Sequence, residues 1–259
     1  EHDENGMLVG NNVTSDPAIR TALNIGIDRK TIIENALAGF GKPSMNLAEA
    51  LPWANNALQE KDNRVDEAVK ILEAAGWKDT DGDGIREKNG MKAEFVINGR
   101  SNDLQRYNTA VALAQDAKKL GINIIAKSTP WSEARKIARN IPTVWALGDF
   151  TPQVIYNYYH SSQVGVNVIN NSAIYRNPAV DAHIDRALAA TSDEEAIREF
   201  KAAQWDGTAG AKMDVPYLWI VTVQVPYFVN ERLDLGQLRV GERGQGMGVL
   251  ANLDDWQWK

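Results

Sequence analysis

Apolar residues in the first part of the chain recur at the spacing of a helix face. Ile19 and Leu23 lie four residues apart, so they share one side of a helix. Asp16 followed by Pro17 is typical of a helix start, because aspartate caps the first N–H groups and proline fits the first turn. The segment therefore predicts two successive helices, the second over residues 28–37.

The middle of the chain changes its periodicity from strand to helix and back to strand. Residues 93–97 and 122–127 are short apolar runs, and helical spacing begins near Ser101. A strand, a helix and a second strand in succession predict a right-handed crossover between parallel strands. Apolar runs at 215–223 and 225–230 predict two more strands. The pattern is that of an α/β fold.

The composition is that of a soluble globular protein, with 44% hydrophobic and 24% charged residues among 259. A net charge of −6 argues against a nucleic-acid partner, since phosphate binding requires a basic surface. The chain has no cysteine, which excludes disulfide and thiol chemistry. Residues 1–15 are expected to form a disordered or linking end. Their polar start without methionine or signal peptide is typical of a processed piece.

Residues 75–90 combine Asp79, Asp81 and Asp83 with several glycines, between a helical and a strand pattern. Aspartates at alternate positions of a tight loop can direct their oxygens at one Ca²⁺ ion. However, Gly90 occupies the twelfth position of this motif, where a bidentate glutamate is expected. Two interpretations stay open: a calcium site, and a rigid turn whose carboxylates accept backbone N–H groups.

Common enzyme motifs are missing from the sequence. It contains no HExxH, no GxSxG and no phosphate-binding loop. Pairs of carboxylates are abundant, but they occur in most proteins and indicate no particular reaction. The sequence therefore predicts binding without catalysis.

Four stretches carry a resemblance to one known family. They are Asp16–Pro43, Ala74–Gly90, Ile174–Leu188 and Val249–Lys259. Together they resemble the C-terminal lobe of the bacterial extracellular solute-binding proteins of the peptide/nickel class, which serve ABC importers. The resemblance implies a single lobe of the type II periplasmic-binding-protein fold over residues 16–259, with a central mixed sheet flanked by helices. The family's N-terminal lobe has no counterpart here, and its ligands lie between two lobes that close by hinge motion.

The resemblance places the solute-contacting segment between residues 145 and 160. A carboxylate such as that of Asp149 would pair with the ammonium group of a peptide, and a helix N-cap is its alternative role. An imidazole such as that of His160 suits Ni²⁺, and a surface histidine at a helix end is the alternative. The ligand-binding residues implied are Trp145, Asp149, Phe150, Tyr156, Tyr159 and His160.

The solute that the resemblance implies first is a nickel–chelate complex, which the tail from residue 249 to residue 259 favours. A dipeptide or oligopeptide is the alternative within the family. A calcium-stabilised structural module is the alternative from a different class of protein. No cofactor is required for any of these: Ni²⁺ would be cargo, and Ca²⁺ would be a structural ion.

The resemblance also implies partners and a location. The parent protein would deliver its small-molecule solute or metal chelate to an ABC permease. It would work in the periplasm or outside the cell, tethered to the membrane. An inter-lobe face left uncovered would be apolar, and exposed apolar patches favour self-association.

Overall fold

The computed structural model of the protein describes residues 2, 6, 8–47, 51–58, 61–146, 151–237, 250 and 252–259. The helices are α1 (Pro17–Gly26), α2 (Arg29–Leu37), α3 (Val65–Ala74), α4 (Leu104–Ala117), α5 (Trp131–Ile137), α6 (Gln153–Tyr159), α7 (Pro178–Ala189), α8 (Asp193–Gln204) and α9 (Ala211–Asp214). The strands are β1 (Gly41–Pro43), β2 (Glu87–Lys88), β3 (Met91–Lys92), β4 (Glu94–Arg100), β5 (Asn123–Thr129), β6 (Val221–Val223), β7 (Leu233–Asp234) and β8 (Gln257–Trp258).

The first two helices begin where capping residues predict. The side chain of Asp16 accepts the N–H of Ala18, and Pro17 occupies the first turn of α1. The side chain of Asp28 accepts the N–H of Thr31 at the start of α2. Both predicted helix starts are confirmed, because a cap bond is local and depends on residues two or three positions apart.

The predicted parallel crossover is confirmed. Strands β4 and β5 pair in parallel over their full length, from Glu94 opposite Asn123 to Arg100 opposite Thr129, and α4 connects them. A third segment joins this sheet through a parallel bridge between Asn98 and Thr143. Helix α4 begins three residues later than Ser101, because the side chain of Asp103 accepts the N–H of Arg106 and caps it.

The α/β architecture is confirmed, but its sheets are smaller than one central mixed sheet. Within the described ranges, the strands form four two-stranded sheets, of which β4–β5 is parallel and β1–β6, β2–β3 and β7–β8 are antiparallel. Only Val221–Val223 of the apolar run 215–223 is a strand, and the run 225–230 has no strand structure. Phe228 is fully exposed. A strand requires a neighbouring strand for its hydrogen bonds, and this run has none among the described residues.

Two clusters of buried apolar side chains form the interior. The larger cluster packs the first four helices against β4 and β5, and includes Trp77, which is fully buried. The smaller cluster joins α6, α7 and α8, with Leu47 among its members. Val13 belongs to the larger cluster at 4% exposure, so residues 10–15 contact the molecule where a disordered or linking end was expected.

The start of α4 lies very close to the end of β4. A Cβ atom at Gly99 would stand 2.5 Å from the Cα of Tyr107, which is closer than any real contact. Only glycine therefore allows this approach, and it brings the first turn of α4 beside Arg100. Among the described residues, no helix combines the length and the apolar character that a bilayer crossing requires.

Candidate functional site

Three chain segments end at the same edge of the parallel sheet. Strand β4 ends at Arg100 and β5 ends at Thr129. The third parallel segment is bridged at Thr143 and continues towards Trp145. Ligands of α/β proteins bind outside the carboxyl ends of parallel strands, because the loops there are free to carry polar and aromatic groups. This edge of the sheet is therefore the candidate position of a solute site.

An arginine and two tryptophans meet at this edge. The rings of Trp131 and Trp145 lie with centroids 4.4 Å apart and planes inclined by 35°. The Cζ atom of Arg100 lies 5.3 Å from the centroid of the Trp131 ring, within the range of a cation–π contact. All three side chains are half-buried. We call these three residues the strand-end cluster.

A second guanidinium group adjoins the cluster at the first turn of α4. Arg106 forms an ion pair with Asp103, the residue that caps this helix. Burial and the neighbouring Arg100 guanidinium both hold the pKa of Arg106 below its ordinary value. Burial and a like charge each disfavour the charged form of a guanidinium group.

The strand-end cluster contains one of the predicted ligand-binding residues and two that sequence reasoning missed. Trp145 was predicted, and it stacks with Trp131 as described above. Asp149 and Phe150 lie outside the described residues. Arg100 and Trp131 could have been found from one signal: each stands at or just after the carboxyl end of a strand in the predicted crossover.

His160 lies at the end of α6 and makes a separate set of contacts. Its Nδ1 lies 2.7 Å from the Oγ of Ser162 and accepts the backbone N–H of that residue at 3.1 Å. Its Nε2 lies 3.2 Å from a carboxylate oxygen of Asp185 on α7. The imidazole thus caps the short 3₁₀ turn Ser161–Gln163. A metal ion at either nitrogen would have to displace one of these partners.

The order serine, histidine, aspartate is also that of a proton relay, but the geometry here indicates a cap. The backbone N–H of Ser162 occupies the same Nδ1 that its hydroxyl approaches. Asp185 is 67% exposed, whereas the carboxylate that orients a catalytic imidazole is buried. The contacts of His160 therefore stabilise the junction between α6 and α7.

Tyr156 and Tyr159 differ in their surroundings. Tyr159 is 3% exposed and belongs to the smaller core cluster. Its hydroxyl accepts the indole N–H of Trp219 at 3.2 Å, and burial raises its pKa. It borders a cavity of about 20 Å³, which has room for about one water molecule. Tyr156 is half-buried and stacks on His160 with ring centroids 5.1 Å apart.

The Asp-Gly loop between α3 and β2 gathers carboxylates near its surface. One oxygen from each of Asp79, Asp81, Asp83 and Glu87 lies within 4.8 Å of the others, and the three aspartates are exposed. The Nζ of Lys92 contacts two of them, lying 3.3 Å from an oxygen of Asp81 and also bonding to Asp83. A cationic side chain therefore stands where a metal ion would bind.

The same aspartates also build the turn itself. Both oxygens of Asp79 accept backbone N–H groups, from Gly82 at 2.8 Å and Gly84 at 3.0 Å. The hydrogen bond between Asp83 and Lys92 is the main reason that the pKa of Asp83 lies below its ordinary value. The same bond is the main reason that the pKa of Lys92 lies above its ordinary value. These contacts fit the interpretation as a rigid turn.

Comparisons with known proteins agree with this architecture. Residues 5–178 match the family of bacterial extracellular solute-binding proteins, family 5 Middle. Protein XP55 of Streptomyces lividans is 35% identical over 228 residues, covering 86% of this chain and 40% of that protein. The oligopeptide-binding protein AppA of Bacillus subtilis is 25% identical over 95% of this chain and 45% of its own length. The nickel-binding periplasmic protein of Escherichia coli is 31% identical over 112 residues, which is 43% of this chain and 21% of that protein.

Solved structures share the fold. NikZ from Campylobacter jejuni, in complex with Ni(L-His), matches 95% of this chain and 50% of its own with a TM-score of 0.74 at 22% identity. AppA from Bacillus subtilis, in complex with a nonapeptide, matches 96% of this chain and 49% of its own with a TM-score of 0.67 at 23% identity. This chain thus spans about half the length of these proteins, or less.

Proposed function

Because the chain belongs to family 5 of the bacterial extracellular solute-binding proteins, as the match over residues 5–178 shows, we propose that it forms one solute-contacting lobe of such a protein. The lobe comprises residues 16–259. Family 5 members bind small ligands and work with ABC transporters, and the matched proteins are binding proteins rather than enzymes. A two-lobed parent would close around its solute by hinge motion.

The observation that carries this proposal is the strand-end cluster. Trp131 and Trp145 present aromatic surface at the edge where α/β folds bind ligands, and Arg100 adds a positive charge to it. Aromatic groups with a few convergent polar groups are typical of small-molecule sites. The half-buried state of all three side chains leaves them partly accessible to a solute.

A nickel–chelate complex is the solute that we propose first. The nickel-binding periplasmic protein of Escherichia coli is among the relatives, at 31% identity over 112 residues. In a chelate, the small organic molecule supplies most of the metal ligands, so the protein needs an aromatic and cationic surface more than metal-binding side chains. This fits His160, whose two ring nitrogens already have partners in Ser162 and Asp185.

A short peptide is the second candidate, favoured by the similarity to the oligopeptide-binding protein AppA along 95% of this chain. Aromatic surface would contact peptide side chains without strong selectivity. The positive charge of Arg100 would suit the end of a peptide that carries the carboxylate.

Calorimetric titration of the 259-residue chain distinguishes these solutes. We expect heat on adding Ni²⁺ with L-histidine and none on adding Ni²⁺ alone. Trp131→Ala should weaken binding about 5- to 150-fold, since loss of one stacked aromatic costs about 1–3 kcal/mol. Trp258→Ala is the matched control, because Trp258 is 69% exposed and lies outside the cluster.

The outcome of this titration decides between the two candidates. Heat with trialanine and none with the nickel–histidine complex would favour a short peptide over a nickel–chelate complex as the solute. Absence of heat with both, at millimolar concentrations, would contradict the proposed role of this lobe. A single lobe supplies only part of the contacts, so weak binding is expected.

The remaining partners follow from the same proposal. An ABC permease would receive the solute, and the match to an extracellular family fits a periplasmic or extracellular location. We propose that the parent is tethered to the membrane and that this chain associates with itself through exposed apolar residues near Phe228, which is fully exposed.

A further inference from the structure

Three asparagines of the chain are followed directly by glycine: Asn5, Asn89 and Asn98. Asn5 lies outside the described residues. A glycine after asparagine favours loss of the side-chain amide, because glycine has no Cβ to keep its backbone nitrogen away from the asparagine carbonyl. Whether such a pair reacts in a folded protein depends on how freely its two residues move.

The Asn89–Gly90 pair forms the tip of an exposed hairpin. Lys88 pairs with Met91 in the antiparallel strands β2 and β3, which leaves Asn89 and Gly90 as the two turn residues. Their φ angles of 54° and 76° are those of a type I′ turn, for which this dipeptide is preferred. Both residues are exposed, and a Cβ atom at Gly90 would meet nothing within 4 Å. The described residues therefore leave this turn uncovered.

The contacts that anchor the hairpin lie at its base. Lys78 and Glu87 exchange backbone N–H groups there, at 3.0 and 2.7 Å. Strands β2 and β3 have only two residues each, and so short a hairpin is marginally stable by itself. The tip can therefore open while the base stays in place.

The Asn98–Gly99 pair has the same chemistry in the opposite environment. Asn98 is 1% exposed within β4. Its Oδ1 accepts the hydroxyl of Thr129 at 2.9 Å, and its backbone N–H donates to the carbonyl of Pro142 at 2.8 Å. Because β4 pairs with β5 along its full length, Asn98 is released only when these strands separate. The buried pair is thus an internal reference for the exposed one.

We infer that Asn89 is a site of spontaneous deamidation in the folded protein. When the turn opens, solvent hydroxide removes the backbone proton of Gly90, and the nitrogen attacks Cγ of Asn89. A bond forms between these two atoms, the bond from Cγ to Nδ2 breaks, and ammonia leaves with a proton from water. Water then opens the resulting five-membered succinimide at either carbonyl, which gives aspartate or isoaspartate. The reaction requires only water and its hydroxide.

The isoaspartate product changes the hairpin. Its chain continues through the side-chain carbon, which adds one backbone atom between Lys88 and Met91. A two-residue turn fixes the register of its strands, and the longer backbone does not fit that register. The next residue, Lys92, contacts Asp81 and Asp83. Deamidation at the turn therefore disturbs the contacts between this hairpin and the Asp-Gly loop.

Peptide mapping of the aged chain tests the site. The folded chain is held at mildly alkaline pH in heavy-oxygen water, which labels only the amides lost during ageing, and is then cleaved with trypsin. Cleavage after Lys88, Lys92 and Arg100 separates residues 89–92 from residues 93–100, so each pair lies in its own peptide. We expect Asn89 to react at least about 100-fold faster than Asn98, since opening the core strands is far rarer than opening a turn.

The same chain unfolded in urea is the control for intrinsic reactivity, and both peptides should become labelled in it. If the folded chain keeps residues 89–92 unlabelled while the unfolded chain labels them, the turn protects Asn89 and the inference is wrong. Equal labelling of both peptides in the folded chain would also overturn it, because the reaction would then follow unfolding of the whole chain.

Asn89→Gly is the matched variant, because a Gly-Gly pair also forms a type I′ turn and has no amide to lose. Ageing should lower the melting midpoint of the wild-type chain by about 1–3 °C and leave that of Asn89→Gly unchanged. An equal fall in both would assign the damage to another residue. Labelling at Asn89 without a fall in the wild-type midpoint would contradict the disturbance of the Asp-Gly loop and leave the deamidation site standing.

Discussion

Several separate chain segments converge on Arg29. It is fully buried, and its Nε donates to the carbonyls of Ser44 and Trp219 at 2.9 and 2.8 Å. Its terminal nitrogens donate to the backbone and side-chain oxygens of Asn24 at 2.9 Å. A single guanidinium group therefore satisfies polar groups that would otherwise be buried without partners.

Replacing Arg29 should have a large effect on stability. Arg29→Met keeps apolar volume but leaves the carbonyls of Ser44, Trp219 and Asn24 without a donor, so we expect a loss of about 3–5 kcal/mol in the free energy of unfolding. Urea denaturation measures it. Arg135→Met, an exposed arginine, is the control and should change stability by less than about 0.5 kcal/mol. Equal effects of the two changes would contradict the role given to Arg29.

Asp16 should make the stability of the protein depend on pH in the acid range. Burial opposes its ionisation, but bonds from Lys88 at 2.7 Å, the Ala18 N–H and the Trp77 indole outweigh burial and lower its pKa. A lowered folded-state pKa contributes stability that is present above the unfolded value, about 4, and is lost as the pH falls through the folded value.

Asp16→Asn tests this, because asparagine still caps a helix but carries no charge. We expect the free energy of unfolding to fall less steeply below about pH 4 in this variant than in the wild-type chain. Asp66→Asn, an exposed residue in the first turn of α3, should retain the wild-type slope. If the free energy of unfolding of Asp16→Asn falls with pH as steeply as that of the wild-type chain, or more steeply, the charge of Asp16 contributes nothing to the stability.

At the scale of elements, local signals were sufficient for the starts of α1 and α2 and insufficient for the apolar runs after residue 215. Asp16 and Asp28 cap their helices through bonds to residues two or three positions away, so the sequence predicts those starts well. The apolar run 225–230 looks like a strand but has no pairing partner among the described residues. Pairing depends on distant segments, which a local pattern does not contain.

The candidate site also combines residues that the sequence predicts with residues that depend on distant segments of the chain. Trp145 was predicted from resemblance, whereas Arg100 and Trp131 were not. Each stands in a different part of the chain, and they meet only because β4 and β5 pair in parallel with matched ends. Arg100 pairs with Thr129, and Trp131 follows Thr129 by two residues. Tertiary packing sets this register between the two strands.

Gly99 controls the approach of α4 to β4. In Gly99→Ala, the new Cβ would lie 2.5 Å from the Cα of Tyr107, a backbone atom that cannot move alone. We expect a loss of about 1–3 kcal/mol in the free energy of unfolding, as overpacking usually costs. Ser128→Ala, at the position opposite Gly99 in β5, should have little effect. Thermal denaturation of both variants checks this, and an unchanged midpoint for Gly99→Ala would disprove the close approach.

Lys92 should decide whether the Asp-Gly loop responds to calcium. Its ammonium group contacts Asp81 and Asp83 at the place where an ion would bind. We expect Ca²⁺ to raise the melting midpoint of Lys92→Met more than that of the wild-type chain, since removal of the ammonium leaves the carboxylates to repel one another. A large shift in the wild-type chain, reversed by EDTA, would favour the calcium-stabilised module instead.

At the scale of the whole molecule, one exposed apolar segment stands apart from both cores. Val225, Tyr227 and Val229 are each more than two-fifths exposed, and Phe228 is fully exposed. Antiparallel pairing of β6 with β1 ends just before this segment. Exposed apolar residues grouped in one segment favour association with another chain.

Phe228→Asp should reduce self-association without loss of stability, because the side chain has no buried contacts to lose. Sedimentation velocity across a range of concentrations measures this effect. Leu188→Asp, which places the same charge on an exposed apolar residue of α7, should leave self-association unchanged. A wild-type chain that stays monomeric at high concentration would refute the proposed association.

The close tryptophan pair also has an optical consequence. At a centroid separation of 4.4 Å, the electronic transitions of the Trp131 and Trp145 indoles couple, and their inclined planes give the coupled pair a circular-dichroism signal. Removal of either ring should eliminate that signal. A solute that moves one indole against the other should change its amplitude or its sign. The edge that would hold the solute thus contains its own reporter of occupancy.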